Sequence, residues 1–142
     1  VAFGTTPGNA TLMATLRTFK DEDMHLLKKR VEELVESICK QYGLDHIIGY
    51  TEEFPATVNH KGCAETLINS GQQLDYPIIN LELPHRWSED FGHFGQICPS
   101  ALFGVGVGEN HPQLHNEDYD FPDELIEPSV KLFVQIAKSL LR

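Results

Sequence analysis

The chain has 142 residues, a net charge of -10 and a pI near 5.0, which suits one domain-sized soluble body and argues against a nucleic-acid partner, whose phosphates demand a basic face. No apolar run approaches the ~20 residues that span a bilayer, so no membrane partner is expected. Cys39, Cys63 and Cys98 are odd in number and never paired as Cys-x-x-Cys, which reads as reduced core thiols of a cytoplasmic protein.

The opening at Val1, without Met and soon followed by a strand-like segment, suggests the C-terminal portion of a longer protein. That segment, residues 10–19, alternates Leu12, Ala14 and Leu16 with Thr11, Met13, Thr15 and Arg17, the pattern of a strand with one apolar face. A helix is expected next. Asp21, Glu22 and Asp23 place negative charge at its positive dipole end, and Met24, Leu27, Val31, Leu34, Val35, Ile38 and Tyr42 recur at helical steps before Gly43 stops it. Residues 46–54 read as a second strand, supported by Ile47, Ile48 and Tyr50 and weakened by Gly49 and the Glu52-Glu53 pair.

At Phe54-Pro55-Ala56-Thr57-Val58-Asn59 the pattern changes, and Pro55 with Asn59 as a candidate helix cap marks a domain boundary, giving domains 1–56 and 57–142. Beyond it Cys63, Ala64, Leu67 and Ile68 form a helix face, 78–83 reads as a short strand entered through Pro77, and Ser88 can cap a helix carrying Phe91 and Phe94. Residues 101–107 read as a buried strand. A last helix carries Ile126, Val130, Phe133, Ala137, Leu140 and Leu141, and Pro128 requires either that it begin near that residue or that a short turn precede it. Strands alternating with helices predict an α/β fold, a strand-helix-strand unit followed by part of an α/β sandwich.

Candidate chemistry lies in the second half. His115 stands among Asn116, Glu117, Asp118 and Asp120, where an imidazole could ligate zinc or a similar ion while carboxylates fix its tautomer. A solitary loop His is more often simply solvated, and a metal site needs three or four ligands. His111 lies four residues earlier, but Pro112 argues against a helical His-x-x-x-His pair. Ser88, Glu89 and Asp90 read first as a helix cap with two acids favourable to the dipole, and second as an acidic wall beside a metal ligand. Gly104 and Gly106 let a strand press on a neighbouring helix or bring its amides close to a ligand, without the Lys and Ser/Thr of a phosphate loop. Arg17 suits a forked contact with a substrate carboxylate, against the simpler reading of an exposed strand Arg.

The series Arg17-Thr18-Phe19 before an acidic-start helix, Phe54-Pro55-Ala56-Thr57-Val58-Asn59, Ser88-Glu89-Asp90-Phe91, Phe103-Gly104-Val105-Gly106 and Leu114-His115 before Phe121 resembles the dizinc amidohydrolase and metallopeptidase family. That family includes hippurate hydrolases, N-acyl-amino-acid deacylases, indole-acetyl-amino-acid hydrolases and related carboxypeptidases. The resemblance covers nearly the whole chain. It implies that 1–56 is the later part of an inserted lid, or dimerisation, domain and that 57–142 is the C-terminal part of the catalytic domain. It implies amide hydrolysis of an N-acyl amino acid or short peptide with two divalent metal ions, zinc first, with manganese, cobalt or nickel as alternatives, and a homodimer formed through the lid. His115 matches the family's last metal ligand, Arg17 a lid arginine that holds a substrate carboxylate, and Gly104 and Gly106 a strand beside the substrate. Ser88, Glu89 and Asp90 match a signature near the site, while the general-base glutamate and most ligands are expected in the preceding half. Gly4 and Gly8 stand where relatives often have a substrate-contacting Asn and an acid. The competing reading is a non-catalytic dimerisation or interaction module derived from the same family.

Overall fold

The computed structural model describes residues 3–86 and 89–141. Two compact units, Val1–Ala56 and Thr57–Arg142, make up the chain.

In the first unit α1 spans Asp21–Tyr42, with Asp21, Glu22 and Asp23 in its first turn and Lys40 in its last, each charge opposing the dipole end nearest it. Gly43 ends it at φ 65° with its N–H on the Cys39 carbonyl, a left-handed stop that costs glycine little. Leu44 donates to the same carbonyl at 2.9 Å. The described residues on either side of α1 in this unit form no helix or strand.

In the second unit α2 (Lys61–Gln73) packs against α4 (Ile126–Leu140), with the single turn α3 (Gly92–Gly95) between them in sequence. The core is small: Leu132 of α4 is its buried apolar side chain, with Ser70 and Gly71 of α2 and Gly92 of α3 also buried among the described residues. Gly71 lies close to Ile78: a Cβ on it would be 2.8 Å from Ile78 Cδ1, the outer end of an exposed side chain that would have to move aside. A 3-10 turn, Asp123–Leu125, leads into α4, so Pro128 falls in the helix's first turn, where its missing N–H forfeits no helical bond. Tyr76 donates to the Pro128 carbonyl at 3.3 Å, and Gln135 of α4 donates to Gln73 of α2.

The α/β expectation is wrong for this structure. No strand occurs among the described residues, and the segments 10–19, 46–54, 78–83 and 101–107 all run as irregular chain. A strand exists only as a ladder of bonds to a neighbour, and these segments have none beside them: Leu12 is 96% and Ile47 99% exposed, and Ile79, Leu81 and Leu83 are exposed as well. Alternation records which face would be buried by a partner, not that one is present. Residues 101–107 are likewise not a buried strand, for Leu102, Val105 and Val107 are exposed. Asn59 is not a helix cap either. His60 occupies the cap position of α2 without a side-chain bond, and the Asn59 carboxamide instead brackets Leu102, accepting from its N–H and donating to its carbonyl, each at 2.8 Å.

Candidate functional site

His115 sits where two tight turns meet in series. Asn116 N–H donates to the Gln113 carbonyl at 3.0 Å, and Tyr119 N–H donates to the Asn116 carbonyl at 3.1 Å. As third residue of the first turn His115 takes φ 74°, in the left-handed region that such turns normally reserve for Gly or Asn. The imidazole is exposed and lines an open recess together with Asn116, Glu117 and Asp118. Next to it, His111 Nδ1 lies 3.0 Å from the Pro112 carbonyl, and its ring meets that of Tyr119 edge-on with centroids 5.2 Å apart. His111 therefore props the loop rather than pairing with His115, a role with no signal in the sequence.

Glu89 is committed elsewhere. One of its oxygens accepts from Thr57 Oγ1 at 2.7 Å, and the other accepts from the Phe91 N–H at 2.8 Å, so it caps the turn leading into α3 and fastens it to the start of the second unit. The Asp90 carbonyl accepts from His93 N–H at 3.1 Å. Phe91 and Phe94 stack at a tilt, with centroids 5.4 Å apart. Ser88 lies outside the described residues. Gly104 and Gly106 are exposed, and a Cβ on either would meet nothing within 4 Å, so neither is held by close packing against a helix of this chain. Arg17 is exposed and belongs to the first unit. None of Glu89, Asp90, Gly104 and Gly106 lines the recess at His115.

The described residues contain no group of three or more His, Cys, Asp or Glu able to hold a metal ion. The recess itself brings one imidazole together with the carboxylates of Glu117 and Asp118, fewer groups than a metal cage needs. No described helix is long and apolar enough to cross a membrane.

Comparison with known proteins gives the context that the geometry lacks. The chain is 25% identical over 142 residues to a protein of Staphylococcus saprophyticus described as an uncharacterized hydrolase, an alignment covering 97% of this chain and 37% of that protein. It is 24% identical over 143 residues to an uncharacterized hydrolase of Staphylococcus epidermidis, covering 97% and 37%. It is also 24% identical over 141 residues to YhaA of Bacillus subtilis, provisionally named an amidohydrolase, covering 95% and 35%. The chain thus spans little more than a third of the length of these relatives. No solved structure matches it significantly. Peptidase family M20/M25/M40, generally metal-dependent, matches residues 4–139. That match takes in nearly the whole chain, the exposed loop histidine included, and the chain is a member of Peptidase family M20/M25/M40.

Proposed function

We propose that this chain is the C-terminal part of a hydrolase that cleaves the amide bond of an N-acyl amino acid or short peptide, with His115 lending one ligand to a centre of two divalent metal ions, zinc first. The observation that carries this reading is His115 itself, held at φ 74° with its imidazole exposed beside Glu117 and Asp118 in a member of the M20 family. A non-glycine residue in that conformation is strained, and strain of this kind collects at functional positions. Bound divalent ions supply Lewis acidity and lower the pKa of water at such centres. The remaining ligands and the general base lie, in this reading, in polypeptide outside these residues. Arg17 would pair with a substrate carboxylate, and Gly104, Gly106 and the Ser88-Glu89-Asp90 signature would border the substrate.

The test is His115→Ala in the full-length protein, with metal content measured by elemental analysis and turnover measured on N-acyl amino acids. Loss of bound metal together with loss of turnover supports the assignment. Full metal content with full activity rejects it.

We further propose that the first unit serves as a self-association surface giving a homodimer. Exposed Leu26, Leu34, Ile38 and Tyr42 on α1 support this, because such residues ordinarily seek cover. Leu34→Glu should shift the full-length protein toward monomer in sedimentation, and an unchanged sedimentation coefficient would count against it.

A further inference from the structure

The segment 50–56, which returns along α1 to the end of the first unit, is tied to that helix by polar contacts in reverse order. The Asp21 carboxylate accepts the Ala56 N–H at 2.7 Å. Lys28 Nζ reaches both Glu53 oxygens, at 2.9 and 3.0 Å, and the same ammonium lies 4.1 Å from the centre of the Tyr50 ring. Tyr50 in turn donates its hydroxyl to Glu32 at 3.1 Å. Asp21, Lys28 and Glu32 are spaced seven and four apart, which puts all three on one stripe of a helix. The spacing also matches along the axis: seven helical residues rise about 10.5 Å, and three residues of extended chain cover about 10 Å. The Asp21–Ala56 and Lys28–Glu53 contacts are thus in register. Glu52, between Tyr50 and Glu53, takes φ 54°, a left-handed bend at the point where Tyr50 and Glu53 converge on a single ammonium.

We infer that 50–56 is a strap closed on α1 by a single cooperative clasp, with Lys28 as its pivot, which governs how firmly Ala56, the last residue of the first unit, is held. Each contact is exposed and individually weak, so the clasp lies close to the balance between closed and open and responds to ionic strength. Lys28 is the natural pivot because it is the better covered partner, with a side chain 23% exposed against 56% for Glu53, and because it serves two residues of the strap at once.

The experiment is amide hydrogen exchange at Ala56 in this chain, followed by NMR. Asp21→Ala, which removes the acceptor, defines the open limit. Lys28→Met keeps the alkyl stem and touches nothing at Ala56, yet a cooperative clasp requires it to speed Ala56 exchange at least about fivefold. Arg30→Met, which breaks only the Arg30–Glu33 pair on α1, should leave Ala56 unchanged. In the unmodified chain, raising salt from about 0.05 M to about 1 M should also accelerate Ala56 exchange relative to amides at the centre of α4. This second arm needs no variant to fold. Ala56 exchange indifferent to Lys28→Met, or indifferent to salt, overturns the inference.

Discussion

The Asn59 carboxamide grips the backbone of Leu102 from both sides, taking its N–H and giving to its carbonyl at 2.8 Å each. A side chain here does what a neighbouring strand would do for one residue. His60 N–H adds a bond to the Ser100 carbonyl at 2.8 Å, so the start of α2 and the segment before Gly104 are fastened together. Asn59→Ala should lower the stability of the second unit by about 1 kcal/mol, the net worth of a pair of partly solvated bonds. Asn59→Asp, which keeps the acceptor and loses the donor, should fall between Ala and the parent in urea denaturation.

Ser70 is fully buried on α2, and its hydroxyl has no hydrogen-bond partner among the described residues. An unpaired buried hydroxyl costs free energy that a methyl group does not, and Ala is also the better helix former. Ser70→Ala is therefore expected to stabilise the chain by about 1 kcal/mol. Thermal unfolding monitored by circular dichroism would show a higher midpoint, and a lower one would mean that the hydroxyl is satisfied in solution.

His115 separates a functional need from a conformational one. Replacing it with glycine removes the strain of φ 74° and should raise loop stability by several tenths to about 1 kcal/mol, whereas His115→Ala keeps the strain. Both variants lose the imidazole. In the full-length protein, a stable but metal-poor His115→Gly enzyme is the expected pair of results from denaturation and elemental analysis. A glycine variant no more stable than alanine would mean the loop relaxes away from this turn.

Glu127 and Lys131 pair one turn apart at the start of α4, at 2.6 Å. Their hydrogen bond first, then their mutual attraction, lowers the Glu127 pKa below 4.5 and raises that of Lys131 above 10.5. Because the folded carboxyl titrates lower than the unfolded one, its contribution is present above the ordinary carboxylate pKa and is lost as pH falls through the folded value. The ammonium behaves in the mirror sense, contributing below its ordinary pKa and losing that contribution as pH rises through the folded value. Glu127→Gln should lower the unfolding midpoint slightly at pH about 7, by an amount that shrinks as pH falls through the folded carboxyl's pKa. High salt should shrink the neutral-pH difference.

Parts of this architecture were legible residue by residue, and the rest was not. The α1 helix, from its acidic first turn to its Gly43 stop, follows from local rules, because a helix satisfies its own backbone within a few residues and announces its ends through capping and charge. The apolar spacing of α2 and α4 and the turn that Pro128 demands were legible too, but the start of α2 was not, since Asn59 does not cap it and neither an acid in its first turn nor a base in its last marks its ends. Ladders are different. Residues 10–19, 46–54, 78–83 and 101–107 alternate as strands do, but a strand's bonds come from another segment, and none is present beside them.

Membership of the M20 family was readable from the order of short motifs, since Ser88-Glu89-Asp90-Phe91, Phe103-Gly104-Val105-Gly106 and Leu114-His115 carry it without any coordinates. Tertiary structure alone decided what individual side chains do. It turned Asn59 from a cap into a clamp on Leu102, engaged both oxygens of Glu89 with Thr57 and Phe91, and set His115 in the left-handed region of an exposed turn. The division has one cause: periodicity and capping are written within a few residues of each other, whereas hydrogen bonds between residues 32 or 43 positions apart depend on where the chain brings them together.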